Sequence, residues 1–179
     1  PMGTVSSMTR RRFVGVLAMA LPGLAIRPPK ASAVRVLAFD HLHTAERLTV
    51  EYYRGGTYLP DALDAINHVL RDFRTGDVHP IDPGLLDLLH LLREATGSRR
   101  PFEVISGYRS PATNHMLRQR SSGVAAGSLH MVGQAIDIRL ADVPLARLRE
   151  AALGLRLGGV GYYPASNFVH VDTGRVRSW

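Results

Sequence analysis

The chain of 179 residues contains no cysteine. Without thiols it can form no disulfide bond, no zinc–thiolate centre and no lipid-modified cysteine after a signal sequence. A protein exported in its folded state has to fold first in the reducing cytoplasm, where it cannot rely on disulfides. The absence of cysteine is therefore consistent with export of a folded protein.

Aromatic residues are also few, at 7% of the chain with a single tryptophan, and they are scattered. This distribution offers no platform on which nucleic-acid bases could stack. The net charge of +7 is misleading, because five of the 22 basic residues and no acidic residue lie in residues 1–33. Residues 34–179 carry 17 arginines against 15 carboxylates, a net charge of +2. We expect no nucleic-acid partner.

The apolar run at residues 13–26 is shorter than the roughly 20 residues that a membrane-spanning helix needs. It follows three arginines at 10–12, and Ala-Ser-Ala at 31–33 offers the small residues that a signal peptidase reads. We expect residues 1–33 to be a twin-arginine signal peptide that delivers the mature domain, residues 34–179, to the periplasm. An uncleaved membrane anchor and a basic tail are the alternatives. After cleavage we expect no stable membrane association.

The mature chain mixes predicted strands and helices without a βαβ rhythm, which favours an α+β domain with an antiparallel sheet and flanking helices. Period-two patterns and turn residues predict strands near residues 35–41, 46–54, 101–106, 135–140, 158–163 and 168–172. Apolar spacing and capping residues predict helices that begin at Pro60, Pro83, Pro111 and about residue 144. Nothing indicates an oligomer, so we expect a monomer.

Two stretches, SLHMVGQAID (128–137) and FVHVD (168–172), hold a candidate metal site. Strand alternation sends Asp137 away from the neighbouring isoleucines and His170 away from the neighbouring valines. If the two strands are neighbours, these side chains converge, and a turn at Gly133 lets His130 fold back onto them. Two histidines and a carboxylate with an open fourth position form a catalytic zinc arrangement, in which the metal activates a water.

Each of these residues alone has a plainer interpretation. A histidine in an apolar strand is more often a hydrogen-bonded core residue, and an aspartate near a turn is usually a cap. His41 and His43 form a rival pair on one strand face, but no nearby carboxylate completes it, and solvent exposure explains it more simply. The remaining histidines are interpreted as structural: His68, His79, His90 and His115.

Together with SGYRSP (106–111) and GGVGYYPASNFVHVDTG (158–174), the His130 stretch resembles the zinc peptidases of the LAS group. That group includes lysostaphin, the D-Ala-D-Ala metallopeptidases and the hedgehog amino-terminal domain. Within the group, the chain is similar to the YcbK-like (MepK-type) murein endopeptidases, which also begin with a twin-arginine signal. The three motifs occur in the same order, and the resemblance covers nearly the whole mature chain.

The resemblance implies a LAS fold and a role for each matching residue. The zinc ligands would be His130, Asp137 and His170. Arg109 matches the arginine that holds the scissile carbonyl in related peptidases, where a fixed guanidinium can stabilise the developing oxyanion. Ser128 would lie at the edge of the substrate. A plainer alternative for Arg109 is a surface arginine among the others at 99, 100, 118 and 120.

The chain departs from the family pattern at the general base. Related peptidases often carry Glu or Asp three residues before the last histidine ligand, or His two residues before it. Here those positions hold Asn167 and Phe168, and neither side chain can take up a proton. Asp172 is the nearest carboxylate on the same strand face as His170. It is the candidate base, or else it only orients a metal ligand.

The expected function is zinc-dependent hydrolysis of amide bonds in the stem-peptide cross-links of peptidoglycan. One alternative is a D,D- or L,D-carboxypeptidase on the same fold, because only the shape of the cleft separates exo from endo action. The other is a zinc-stabilised cell-wall binding module without turnover, which the residue at position 167 favours. The sequence leaves open which cross-link is cleaved.

Overall fold

A single eight-stranded sheet organises the chain in a computed structural model that describes residues 34–120 and 124–179. The expected signal peptide, residues 1–33, lies outside the described residues. Within the described ranges, no helix has the length and apolar character needed to cross a membrane.

The strands and helices alternate irregularly along the chain. The strands are β1 (Val34–His41), β2 (Arg47–Arg54), β3 (Thr57–Tyr58), β4 (Phe102–Ser106), β5 (Ala135–Leu140), β6 (Gly159–Tyr163), β7 (Phe168–Asp172) and β8 (Arg177–Ser178). The α-helices are α1 (Pro60–Val69), α2 (Pro83–Thr96), α3 (Pro111–Arg120) and α4 (Leu145–Leu155). Two single turns of 3₁₀-helix lie at Leu129–Val132 and Pro164–Ser166.

The sheet is mixed, so the expectation of an antiparallel sheet was wrong for two strand pairs. In the strand order β3-β2-β1-β4-β5-β7-β6-β8, β1 runs parallel to β4 and β6 runs parallel to β8. The other neighbours pair antiparallel. Between β1 and β4 the chain forms a hairpin and two helices, which is the long connection that parallel neighbours require.

Helix α2 has the ends that its sequence predicts. The carboxylate of Asp82 accepts a hydrogen bond from the Gly84 N–H, Pro83 occupies the first turn, and Gly97 ends the helix with a φ of +70°. Helix α1 begins at Pro60 as expected but ends at Val69, so the apolar residues 70 and 73 lie beyond it.

The core lies on one face of the sheet, between the strands and helices α2 and α4. Five leucines of α2 are buried, and the inner face of the central strands adds Ile136, Ile138, Val169 and Val171. Because side chains alternate along a strand, the residues between these apolar ones point to the opposite face. The core thus determines which face of β5 and β7 carries Asp137 and His170.

Candidate metal centre

Strands β5 and β7 bring Asp137 and His170 together. The two residues are direct partners in the antiparallel register, so their side chains lie on the same face of the sheet. His170 Nδ1 lies 2.9 Å from Asp137 Oδ1. The convergence that strand alternation predicts is confirmed.

His130 reaches this pair through a tight turn. Its 3₁₀ turn ends at Gly133, which has a φ of +67°, and a Cβ there would lie 2.1 Å from the carbonyl oxygen of Pro80. His130 Nε2 lies 3.2 Å from His170 Nδ1 and 3.3 Å from Asp137 Oδ1. One ligand atom from each of the three residues lies within 4.8 Å of the other two. The turn requires glycine at position 133, because any Cβ there would clash with the Pro80 backbone.

Hydrogen bonds orient both imidazole rings for metal binding. His130 Nδ1 donates to the carbonyl oxygen of Gly107 at 2.7 Å, which directs Nε2 toward His170 and Asp137. His170 Nε2 donates to Asp172 Oδ2 at 3.0 Å, which leaves Nδ1 toward Asp137. Two imidazole nitrogens and a carboxylate are the donor set that zinc takes in catalytic sites, where the metal displaces the proton of the binding nitrogen.

The electrostatics of the cluster favour positive charge. Burial acts to raise the pKa of Asp137, but the charge and hydrogen bonds of the two histidines outweigh it and hold that pKa well below its usual range. Burial also opposes protonation of His170, but hydrogen bonds to Asp137 and Asp172 outweigh it and raise its pKa to about 9. A site that retains a proton in this way also attracts a cation.

Arg109 lies beside the cluster, in the segment that follows β4. Its Nη2 lies 3.6 Å from Asp137 Oδ2, and its backbone N–H donates to the His130 carbonyl at 3.1 Å. The side chain is only 11% exposed, and within the described residues its buried Nε has no hydrogen-bond partner. Burial lowers the pKa of Arg109. The alternative of a surface arginine is therefore wrong.

A cleft of about 530 Å³ opens over the three candidate ligands. Ser128 lines it, as expected for a residue at the edge of a substrate. Its lining includes the basic residues His43, Arg74, Arg109 and Arg177 and the aromatic residues Tyr163, Phe168 and Trp179.

Sequence reasoning missed Trp179. Its indole lies 5.3 Å from the His170 ring, and its Nε1 donates to the Tyr163 hydroxyl at 2.7 Å. Gly161, the partner of His170 on β6, makes room for it, because a Cβ there would lie 2.8 Å from the indole ring. A glycine inside a strand indicates such a close approach, but it does not say which residue approaches.

Asp172 lies behind His170 and is fully buried. Its Oδ1 accepts the backbone N–H groups of Gly159 and Gly174, and Arg177 binds both carboxylate oxygens at 3.0 and 2.7 Å. Its remaining contact is with His170 Nε2, on the opposite edge of that ring from Asp137. Each oxygen of Asp172 is therefore engaged.

The two positions that often supply the general base in related peptidases hold Asn167 and Phe168 in this chain. Asn167 adopts the left-handed conformation at a φ of +53° and is exposed. Phe168 stacks on Tyr163, with ring centroids 4.6 Å apart.

Within the described residues, the rival histidine pair belongs to no cluster of three potential metal ligands, and its explanation has to be corrected. His43 is exposed as expected, but His41 is only 1% exposed, so solvent exposure was wrong for His41. His41 Nδ1 accepts the backbone N–H groups of His43 and Thr44, which makes it a local hydrogen-bonding residue. The four histidines interpreted as structural all lie outside the cleft: His68, His79, His90 and His115.

Comparison with known proteins gives the family. The sequence model of the Peptidase_M15_2 family, described as peptidoglycan L,D-endopeptidase MepK, matches residues 29–179. The peptidoglycan L,D-endopeptidase MepK of Escherichia coli K12 is 46% identical over 176 residues, which cover 95% of this chain and 96% of the relative. The probable peptidoglycan L,D-endopeptidase MepK of Haemophilus influenzae is 42% identical over 177 residues, 95% of each chain. The chain therefore belongs to the MepK-type peptidases of the Peptidase_M15_2 family.

Proposed function

We propose that residues 34–179 form a zinc-dependent peptidase that hydrolyses amide bonds in the peptide cross-links of peptidoglycan. The observation that carries this proposal is the convergence of His130 Nε2, the Asp137 carboxylate and His170 Nδ1 beside Arg109 in an open cleft. The names of the two relatives support the L,D-cross-link as the bond that is cleaved.

The three side chains would hold the zinc ion, and three protein ligands leave one position for water or substrate. When bound, zinc would supply a Lewis acid that makes water nucleophilic near neutral pH. His130 and Asp137 are 2% and 6% exposed, and rigid hydrogen bonds hold both histidine rings. The ligands are therefore preorganised before the metal binds.

Arg109 would stabilise the negative charge that develops on the scissile carbonyl oxygen. Its Nε–H has no partner within the described residues, and its side chain is only 11% exposed, so a hydrogen bond to an oxyanion would be poorly screened by water. Ser128, on the wall of the same cleft, would contact the substrate backbone.

Of the two roles expected for Asp172, its contacts favour orientation of His170 over general-base catalysis. A base has to reach the proton of the attacking water from the cleft, whereas Asp172 is fully buried and bonded to Arg177. An orienting carboxylate has to contact the outer nitrogen of a histidine ligand, and Asp172 does so at 3.0 Å.

We further propose export by the twin-arginine route and action as a monomer in the periplasm. The three arginines at 10–12 and the apolar run at 13–26 support the export signal. The substrate named for the relatives, peptidoglycan, lies outside the cytoplasm and agrees with this location.

A binding module without turnover is the second candidate function. Asn167 favours it, since this exposed amide occupies a position where related peptidases often carry a carboxylate. On that reading the metal would only stabilise the fold.

The test is mass spectrometry of cross-linked muropeptide dimers, L,D-linked and D,D-linked, after incubation with the full chain. Zinc-loaded, chelator-treated and His170→Ala proteins are compared, with His115→Ala as a control for an exposed histidine outside the cleft. We expect monomeric stem peptides from the L,D-linked dimer, only with zinc and with His170 present. Release of a terminal alanine would indicate a carboxypeptidase, and intact dimers with zinc-loaded protein would indicate a binding module.

A further inference from the structure

Three arginines line the cleft, and one of them has no acidic partner. Arg109 lies near Asp137, and Arg177 is bonded to Asp172. Within residues 34–120 and 124–179, the Arg74 guanidinium forms no salt bridge and no hydrogen bond. Its charge is thus available to a ligand in the cleft.

The Arg74 side chain is held in place by an aromatic residue. Its guanidinium carbon lies 4.1 Å from the centre of the Phe73 ring, a cation–π contact. His43, which also lines the cleft, stacks on Phe73 with the ring centroids 4.1 Å apart and the planes at 10°. A stacked guanidinium keeps its N–H donors free at its edge, where a carboxylate can be bound by two hydrogen bonds.

The buried carboxylate of Asp72 accepts hydrogen bonds from the two backbone segments that carry Arg74 and Arg109. Asp72 is 1% exposed, and its Oδ1 accepts the backbone N–H of Arg74 at 3.0 Å. Its Oδ2 accepts the backbone N–H of Ser110, the residue after Arg109, at 2.9 Å. Burial lowers the pKa of Arg109, and the positive charge of Arg74 acts in the same direction, so each guanidinium lies within the field of the other.

Two cations that line the same cleft attract an anionic ligand. Stem peptides of peptidoglycan carry free carboxylates besides the amide bonds of their backbone and cross-links. We propose that Arg74 is a specificity-determining residue that binds a free carboxylate of the stem peptide, while Arg109 serves the scissile carbonyl. This inference rests on the proposed function and names the group of the substrate that is recognised.

The test compares the full zinc-loaded chain with Arg74→Gln and Arg74→Lys. The matched control is Arg147→Gln, which removes the same charge from an exposed position of α4 outside the cleft. Cleavage rates are measured on cross-linked dimers with free carboxylates and on the same dimers with amidated carboxylates. Arg74 and Arg147 are both exposed, so none of these substitutions should change the unfolding temperature. The unfolding temperature of each protein is measured in parallel.

We expect Arg74→Gln to raise KM for the free-carboxylate dimer about tenfold with little change in kcat, as for a lost charge-assisted hydrogen bond. KM for the amidated dimer should not change, and Arg74→Lys should lie in between. An unchanged KM for the free-carboxylate dimer, or the same increase on both dimers, would contradict the inference. Amidation of one carboxylate at a time then identifies the group that is bound.

Binding of a monomeric stem peptide, which has no cross-link to cut, separates this inference from the proposed function. Calorimetry should show about tenfold weaker binding of the amidated peptide to the unmodified chain, and no such difference for Arg74→Gln. If the chain binds with this selectivity but cuts no dimer, the proposed function fails and this inference holds. If the chain cuts dimers and Arg74→Gln behaves as the unmodified chain, the proposed function holds and this inference fails.

Discussion

His170 Nε2 lies 3.0 Å from Asp172 Oδ2, on the edge of the imidazole ring opposite the nitrogen that faces Asp137. This places a buried carboxylate behind a candidate zinc ligand, where it holds the ring in its orientation. Arg177, which binds both oxygens of Asp172, extends the arrangement by one more residue. The candidate metal centre is thus supported from behind by a chain of charged hydrogen bonds.

Substitution of Asp172 by Ala should weaken zinc binding by about 10–100-fold, since an orienting partner of a metal ligand is lost. Asp172→Asn should weaken it less, because the amide oxygen still accepts from His170. Competition with a chromophoric chelator measures the affinity, and kcat is measured at saturating zinc. If Asp172 is instead the general base, both variants lose kcat while zinc affinity is unchanged.

Removal of zinc should destabilise the chain, because the candidate ligand His170 lies 33 residues beyond Asp137 and the two converge only in the folded state. Zinc at about 100 times its dissociation constant should contribute about 2.7 kcal/mol to the free energy of unfolding. Thermal unfolding with zinc and with chelator measures the difference. His170→Ala should abolish it and His115→Ala should retain it; a shift that survives in His170→Ala would place the metal elsewhere.

Asp87 should make stability depend on pH under acidic conditions. Its carboxylate accepts hydrogen bonds from Tyr52 and Tyr58 and lies 2.6 Å from Arg35. Burial acts to raise the pKa of Asp87, but these partners outweigh it and hold the pKa below its usual value of 3.8. The folded state therefore gains stability that is present above pH 3.8 and is lost as the pH falls below it.

We expect Asp87→Asn to lower the free energy of unfolding by about 1 kcal/mol at pH 7, a small value because the side chain is 29% exposed. The loss should shrink at acidic pH below the lowered pKa of Asp87, where both proteins lack the charge. Urea unfolding at the two pH values measures it, with the exposed Asp64→Asn on α1 as a control. An equal loss at both pH values would show that the charge of Asp87 is not responsible.

Two glycines close to each other in sequence should respond in opposite directions to substitution by alanine. A Cβ at Gly158 would lie 1.7 Å from the backbone oxygen of Asp172, whereas a Cβ at Gly154 on α4 meets nothing within 4 Å. Gly158→Ala should destabilise the fold by about 3 kcal/mol, because the clash is with backbone. Gly154→Ala should stabilise it by about 0.5–1 kcal/mol. Chemical denaturation measures both, and a stable Gly158→Ala would mean that β7 can move.

The features that the chain specifies locally were predicted well. Helix α2 has the Asp82 cap, the Pro83 start and the Gly97 end that its sequence indicates, because capping depends on residues a few positions apart. The faces of Asp137 and His170 follow from the two-residue period of a strand, which is also a local property. The convergence of these two candidate ligands could therefore be predicted once β5 and β7 were taken as neighbours.

Long-range pairing decided the rest. Several features depend on contacts between segments far apart in the chain. These are the parallel β1–β4 pair, the burial of His41, the approach of Trp179 to His170 and the placement of Arg74 at the cleft. No local pattern encodes such contacts, because they are set by which surfaces pack best once the whole core is formed. The amino-acid pattern thus specifies which groups are able to hold a metal, and packing of the folded chain selects the residues that surround it.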